Sequence, residues 1–133
     1  MEKKYLGIDW GEKRIGLALG DSVTKTATPF KVVASLGEVL KVIAEEGIDV
    51  LVVGEPKTLS NKKGETQKKS QEFFDLLKTK LEIPIEKVDE RYSSSGADAL
   101  SGKGKKNKRS SADRDALAAM IILQNYLDKI SNS

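Results

Sequence analysis

"YLGIDWGEKRIGLALGD", residues 5–21, places a lone carboxylate, Asp9, inside an apolar strand between two glycines. An acid there loses hydration, which is tolerable only where a cation or a set of donors compensates it. Alternation along a strand sends Leu6, Ile8 and Trp10 to one face and Gly7, Asp9 and Gly11 to the other. The glycines are then expected to leave open space above the carboxylate, where a metal ion or a phosphate can approach. The structural alternative is that Asp9 ends the strand and accepts backbone hydrogen bonds in a turn. Beyond "EKR" the run "RIGLALGD" returns as a second strand, giving an antiparallel hairpin.

Outward from that hairpin, "TATPFKVV" (26–33) reads as a third strand in which Pro29 demands an edge or a bulge. In "LGEVLKVIAEEG" the residues Leu36, Val39, Leu40 and Ile43 fall on one helical face, and Gly47 stops the helix. "IDVLVVGEP" has the unbroken apolar centre of a strand covered on both faces. "KTLSNKKGE" (57–65) reads as a mobile loop, and "TQKKSQEFFDLLKTKL" as a helix with Phe73, Phe74, Leu77 and Leu81 on one side. "IPIEKVDER" is a fifth strand. A final helix, "SSADRDALAAMIILQNYLDKI", carries the stripe Ala116, Ala119, Met120, Leu123, Leu127 and Ile130. An antiparallel meander followed by alternating helices and strands gives a single α/β domain over residues 1–133, with one mixed sheet and helices on its faces.

The chain has 133 residues, 38% apolar and 32% charged, which suits one globular domain. Neither cysteine nor histidine occurs, which excludes disulfides, thiolate metal sites and a histidine base. The start "MEKKYLGIDW" has no apolar stretch of signal-peptide length and no apolar run long enough for a membrane span occurs, so a cytoplasmic location without a membrane partner is expected. Net charge is +3, but "GKGKKNKR" concentrates Lys103, Lys105, Lys106, Lys108 and Arg109 in one stretch with no acid. Such a run suits a polyanionic partner, and equally a solvated loop.

Further acids stand at the ends of elements: Glu55 just after the central strand, Asp89 and Glu90 at the end of the fifth, Asp113 and Asp115 in the first turn of the last helix. Strand ends are where sites assemble in α/β sheets. Asp113, three residues after Ser110, has the spacing of a capping box. Asp115, four residues before Ala119, should sit at the edge of the core among small neighbours. Carboxylates converging from different elements suit Mg²⁺ or Mn²⁺. A pair of such ions can activate water and stabilise a leaving oxygen in phosphodiester cleavage, which replaces the missing base.

Together "LGIDWGEKRIGLALGD", "VVGEP", "VDERYSS" and "DALAAMIILQNYL" resemble, in order and over nearly the whole chain, the YqgF/RuvX family of RNase H-fold nucleases. The resemblance implies an RNase H-like fold with a mixed five-stranded sheet and helices on both faces. It also implies a metal-dependent acidic site of Asp9, Glu90 and Asp115, with cleavage leaving a 5′-phosphate and a 3′-hydroxyl. Members are described as processing nucleases for the 5′ end of pre-16S rRNA or as Holliday-junction resolvases, so the expected partner is nucleic acid, either pre-rRNA or branched DNA. Where relatives read Leu-Pro, this chain has "EP", so that Glu55 is either a further candidate metal ligand or a residue that simply faces solvent. Arg14 and Arg91 are candidates to neutralise a scissile phosphate, and the basic run with Lys62, Lys63, Lys68 and Lys69 to track the backbone.

Two readings compete. A sugar-kinase or actin-type phosphate loop also uses a "GIDxG" strand, but those enzymes close two lobes and this chain has room for one. A non-catalytic nucleic-acid-binding factor conflicts with several acids beside a phosphate groove. Resolvases act as two-fold dimers and a processing nuclease can act alone; the sequence leaves a homodimer open.

Overall fold

A computed structural model describes residues 2–11, 13–55, 63–89 and 111–131. Strands β1 (Lys4–Trp10) and β2 (Ile15–Asp21) form the expected antiparallel hairpin, with Asp9 opposite Gly16 and Lys4 opposite Asp21. β3 (Thr28–Val33) pairs with β2, and the register slips between Leu17, opposite Lys31, and Ala18, opposite Pro29. The proline thus sits on an edge strand at a bulge, where its missing N–H costs no ladder bond. β4 (Val50–Glu55) runs parallel to β1, and β5 (Ile85–Asp89) parallel to β4, completing the order β3-β2-β1-β4-β5.

Helix α1 (Leu36–Glu46) starts where Ser35 Oγ accepts from the Glu38 N–H, and ends at Gly47, whose φ of 66° is left-handed. Glu38 reaches back to the Ala34 N–H at 2.7 Å, so both ends of the first turn are tied. α2 (Lys63–Lys80) begins within the stretch expected to be a loop: residues 63–65 are helical, although Gly64 is a poor helix former. The remainder of that expected loop, residues 57–62, lies outside the described residues. α3 (Ser111–Ser131) is the long final helix.

The alternation read from the sequence separates two cores. On one face Leu6, Ile8, Leu17, Leu51 and Val53 pack with Val39, Val42 and Ile43 of α1 and Phe73 and Leu77 of α2. On the other, Tyr5, Ala18, Val50 and Val52 pack with Ala119, Ile122, Leu123 and Leu127 of α3. Val50 to Val53 are buried throughout, as a strand covered on both faces requires. Ile130, expected on the α3 stripe, is instead 40% exposed, in the last turn one residue from the helix end.

Candidate active site

Three strands, β1, β4 and β5, finish at the same end of the sheet, and β2 begins there. Asp9 is the penultimate residue of β1, one position beyond Ile8, which registers with Val53. It belongs to the strand body rather than a closing turn, and its Oδ1 is shielded from solvent. Glu55 and Asp89 are a register pair closing β4 and β5.

What meets Asp9 from above is set by Gly16, its cross-strand partner. Directly opposed residues of an antiparallel pair share a face, so Gly16 and Asp9 look toward α3. A Cβ built on Gly16 would lie 2.1 Å from the Asp115 carbonyl oxygen and 3.1 Å from the Ala116 nitrogen. No side chain fits between, so only glycine lets the start of α3 rest on the hairpin beside Asp9. Gly7 continues the close approach, its added Cβ falling 2.7 Å from Leu123 Cβ and 2.8 Å from the Ala119 carbonyl oxygen.

These contacts correct one expectation. The space above Gly7 is filled by α3 and that beside Gly11 by the Arg14 carbonyl oxygen, 2.7 Å from an added Cβ. The glycines flanking Asp9 admit a helix and a turn rather than a ligand. Gly16, which the sequence reading passed over, is the glycine that joins the acids. Its signal was present: Gly16, Ala18 and Gly20 alternate with Ile15, Leu17 and Leu19 as a strand face stripped of bulk.

Asp115 stands at the core edge as its spacing predicts, its side chain 27% exposed and next to buried Ala116. With α3 starting at Ser111, it opens the second helical turn rather than the first. Arg14, from the connection between β1 and β2, donates from Nε to Asp115 Oδ2 at 2.7 Å, with 47% of its side chain exposed. About two and a half turns further along the helix Gln124 accepts from the Ala27 N–H at 2.8 Å and donates to the Lys25 carbonyl at 3.1 Å, pinning α3 to the β2–β3 connection.

The acids Asp9 and Asp115 are thus brought to one end of one sheet face. Glu90, Arg91, Lys103, Lys105, Lys106, Lys108 and Arg109 lie outside the described residues, as does Lys62. Among the described residues no cluster of three metal-ligating side chains occurs. The two acids placed at this end are carboxylates, with a buried oxygen on Asp9, and that chemistry fits a hard divalent cation. Asp21 and Tyr126 lie away from this end: Asp21 closes the far end of the hairpin and Tyr126 packs edge-on against Tyr5.

A family model described as "RuvX: Holliday junction resolvase" matches residues 3–129. The chain belongs to the RuvX family. A relative from Agathobacter rectalis, named "Putative pre-16S rRNA nuclease", is 34% identical over 98% of both chains. One of the same name from a Sulfurihydrogenibium species is 39% identical over 98% of this chain and 93% of its own. Among solved structures, Thermus thermophilus RuvC in complex with a Holliday junction substrate superposes with a TM-score of 0.63 at 18% identity, over 97% of this chain and 96% of that one. The yeast mitochondrial Holliday junction resolvase follows at 0.55 and 9% identity, over 98% of this chain and 82% of its own. The RuvX chain therefore has the RNase H-like fold of the RuvC resolvases, as its motifs implied.

Proposed function

We propose that this RuvX protein is a divalent-metal-dependent endonuclease that cleaves the 5′ end of pre-16S rRNA as one catalytic domain in the cytoplasm. The observation that carries the reading is the seating of the Asp115 backbone on Gly16, the cross-strand partner of Asp9. Asp9 and Asp115 would hold Mg²⁺ or Mn²⁺, with Glu90 as the third carboxylate and Glu55 as a further one. A bound divalent ion supplies Lewis acidity and a nucleophile at neutral pH, which a chain without histidine needs. Asp9 would hold the ion from a rigid strand and Asp115 from a helix seated on backbone, so that neither carboxylate's backbone has to be ordered when substrate arrives. Water adds to phosphorus, the P–O3′ bond breaks, and the leaving oxygen takes a proton, giving a 3′-hydroxyl and a 5′-phosphate. Arg91, Lys103, Lys105, Lys106, Lys108 and Arg109 would hold the backbone phosphates of the RNA.

The names of the relatives support the rRNA substrate. The family description supports a second reading, resolution of four-way DNA junctions, which would require a homodimer. The deciding experiment offers labelled pre-16S leader RNA and a synthetic junction to the wild type and to Asp9→Asn, each with Mg²⁺, Mn²⁺ or EDTA. The expected outcome is metal-dependent cutting of the RNA, lowered at least about 100-fold by Asp9→Asn, since a lost metal ligand removes several kcal/mol of transition-state stabilisation. Cutting of the junction alone would establish the second reading. Binding of either substrate by both proteins without cleavage under any condition would reject catalysis and leave a nucleic-acid-binding factor.

A further inference from the structure

We infer that Arg14 is a placeholder cation: it neutralises Asp115 while no divalent ion is bound, surrenders that carboxylate when one binds, and thereby frees its guanidinium for a backbone phosphate. The inference rests on the metal-dependent reading above and adds an order of events to it.

The sequence alone suggests that Arg14 faces substrate; the structure finds it occupied. Its Nε lies 2.7 Å from Asp115 Oδ2, across 101 residues of sequence. The approach is built into the backbone, because Gly11 lets the connection fold so tightly that an added Cβ would touch the Arg14 carbonyl oxygen at 2.7 Å. The root of the Arg14 side chain is therefore fixed at the sheet end that holds Asp9 and Asp115. Its far end is less confined, with 47% of the side chain exposed.

Asp115 carries its charge at the sheet end that also holds Asp9, and the Arg14 guanidinium beside it offsets that charge. The pairing is weakly held, since a half-exposed ion pair is screened by water. A divalent ion brings twice the charge, and it repels a guanidinium placed within a few ångströms on the same carboxylate. Arg14 and the ion therefore compete for Asp115. Once displaced, Arg14 retains a fixed root and a planar fork of N–H donors, which match a phosphate as well as a carboxylate. Metal binding then strengthens nucleic-acid binding, and by linkage nucleic acid strengthens metal binding.

The test is a calorimetric titration of the full chain with Mn²⁺ alone, without nucleic acid, on the wild type, Arg14→Gln, Arg14→Met and Arg14→Lys, with Asp9→Asn as the control that removes the site. Arg14→Gln and Arg14→Met are expected to bind Mn²⁺ about 3- to 10-fold more tightly than wild type, and Arg14→Lys within about twofold of it. In EDTA both neutral variants should melt below the wild type, and saturating Mn²⁺ should close that gap. Either neutral variant, once folded, tests the claim. Equal or weaker Mn²⁺ binding by the folded neutral variants would overturn it, since an arginine that merely orients Asp115 would loosen the metal when removed. That result leaves the metal-dependent reading standing. Absence of Mn²⁺ binding in the wild type itself would overturn both.

Discussion

On one side of β2, Ile15, Leu17 and Leu19 reach into the core beneath α1 and α2; on the other, Gly16, Ala18 and Gly20 lie under α3. The first face gains stability from bulk. Side chains there interdigitate, and a lost methylene leaves a void. The second face gains it from proximity, with the helix backbone resting on the strand at Gly16. Side-chain packing can adjust by changing rotamer, whereas backbone seated on backbone cannot. The rigid mode is used on the face that carries Asp9 and receives the start of α3 at Asp115.

Opposite substitutions break the two faces. The largest effect is expected for Leu51→Ala, which empties a fully buried position of the bulky core and should cost roughly 2–5 kcal/mol in a denaturant melt. Cleavage by the surviving folded fraction should be little changed, because that core lies on the far side of the sheet from Asp9.

On the α3 face the damaging change is addition. Gly16→Ala should cost roughly 1–3 kcal/mol and also lower cleavage, because its Cβ meets the Asp115 backbone at 2.1 Å and must lift the start of α3. Gly7→Ala, at 2.7–2.8 Å from Leu123 Cβ and the Ala119 oxygen, should cost less. Gly20→Ala should cost least, since two of its three neighbours at 3.1–3.2 Å are the flexible ends of Leu123 and Leu127. Equal costs along the series, or unimpaired cleavage by Gly16→Ala, would remove the distinction between the faces.

The smallest effect concerns neither face but the hairpin end remote from the acids. Asp21 Oδ1 accepts from the Val23 and Thr24 N–H groups at 3.0 and 2.7 Å and from Thr24 Oγ1 at 3.0 Å. The Thr24 backbone bond leads the causes that hold its carboxyl below the usual 3.8, although some desolvation opposes them. A lowered folded value means that this contribution is complete above the unfolded value and fades as pH falls through the folded one. Wild type and Asp21→Asn should therefore differ in melting temperature above about pH 4 and converge below it. A gap that persists at pH 2 would assign the turn's stability to something other than the carboxylate charge.

Much of this was legible in the sequence because the decisive signals are periodic. Alternation in residues 5–10 separated the two faces, Gly47 marked the end of α1, and Pro29 demanded the bulged edge that β3 has. The start of α2 was misread because Lys63 and Gly64 follow a polar stretch and have loop chemistry, while burial of Phe73 and Leu77 further along decides the helix. At the site, the types and places of Asp9 and Asp115 could be read locally. The Arg14–Asp115 pair and the contact over Gly16 could not, because each joins parts of the chain about a hundred residues apart.

The bulge at Pro29 has a consequence for how these molecules behave at high concentration. Among the described residues β3 and β5 border the sheet, and an unpaired border ladder invites a strand from another molecule. On β3 the proline removes a donor, the slipped register breaks the regular spacing, and exposed Lys31 adds charge. On β5 exposed Glu86 and Lys87 interrupt the apolar run. Among the described residues the sheet has five strands, and borders of this kind resist recruitment into fibrous aggregates, so the chain can keep its central strands strongly apolar without making them adhesive.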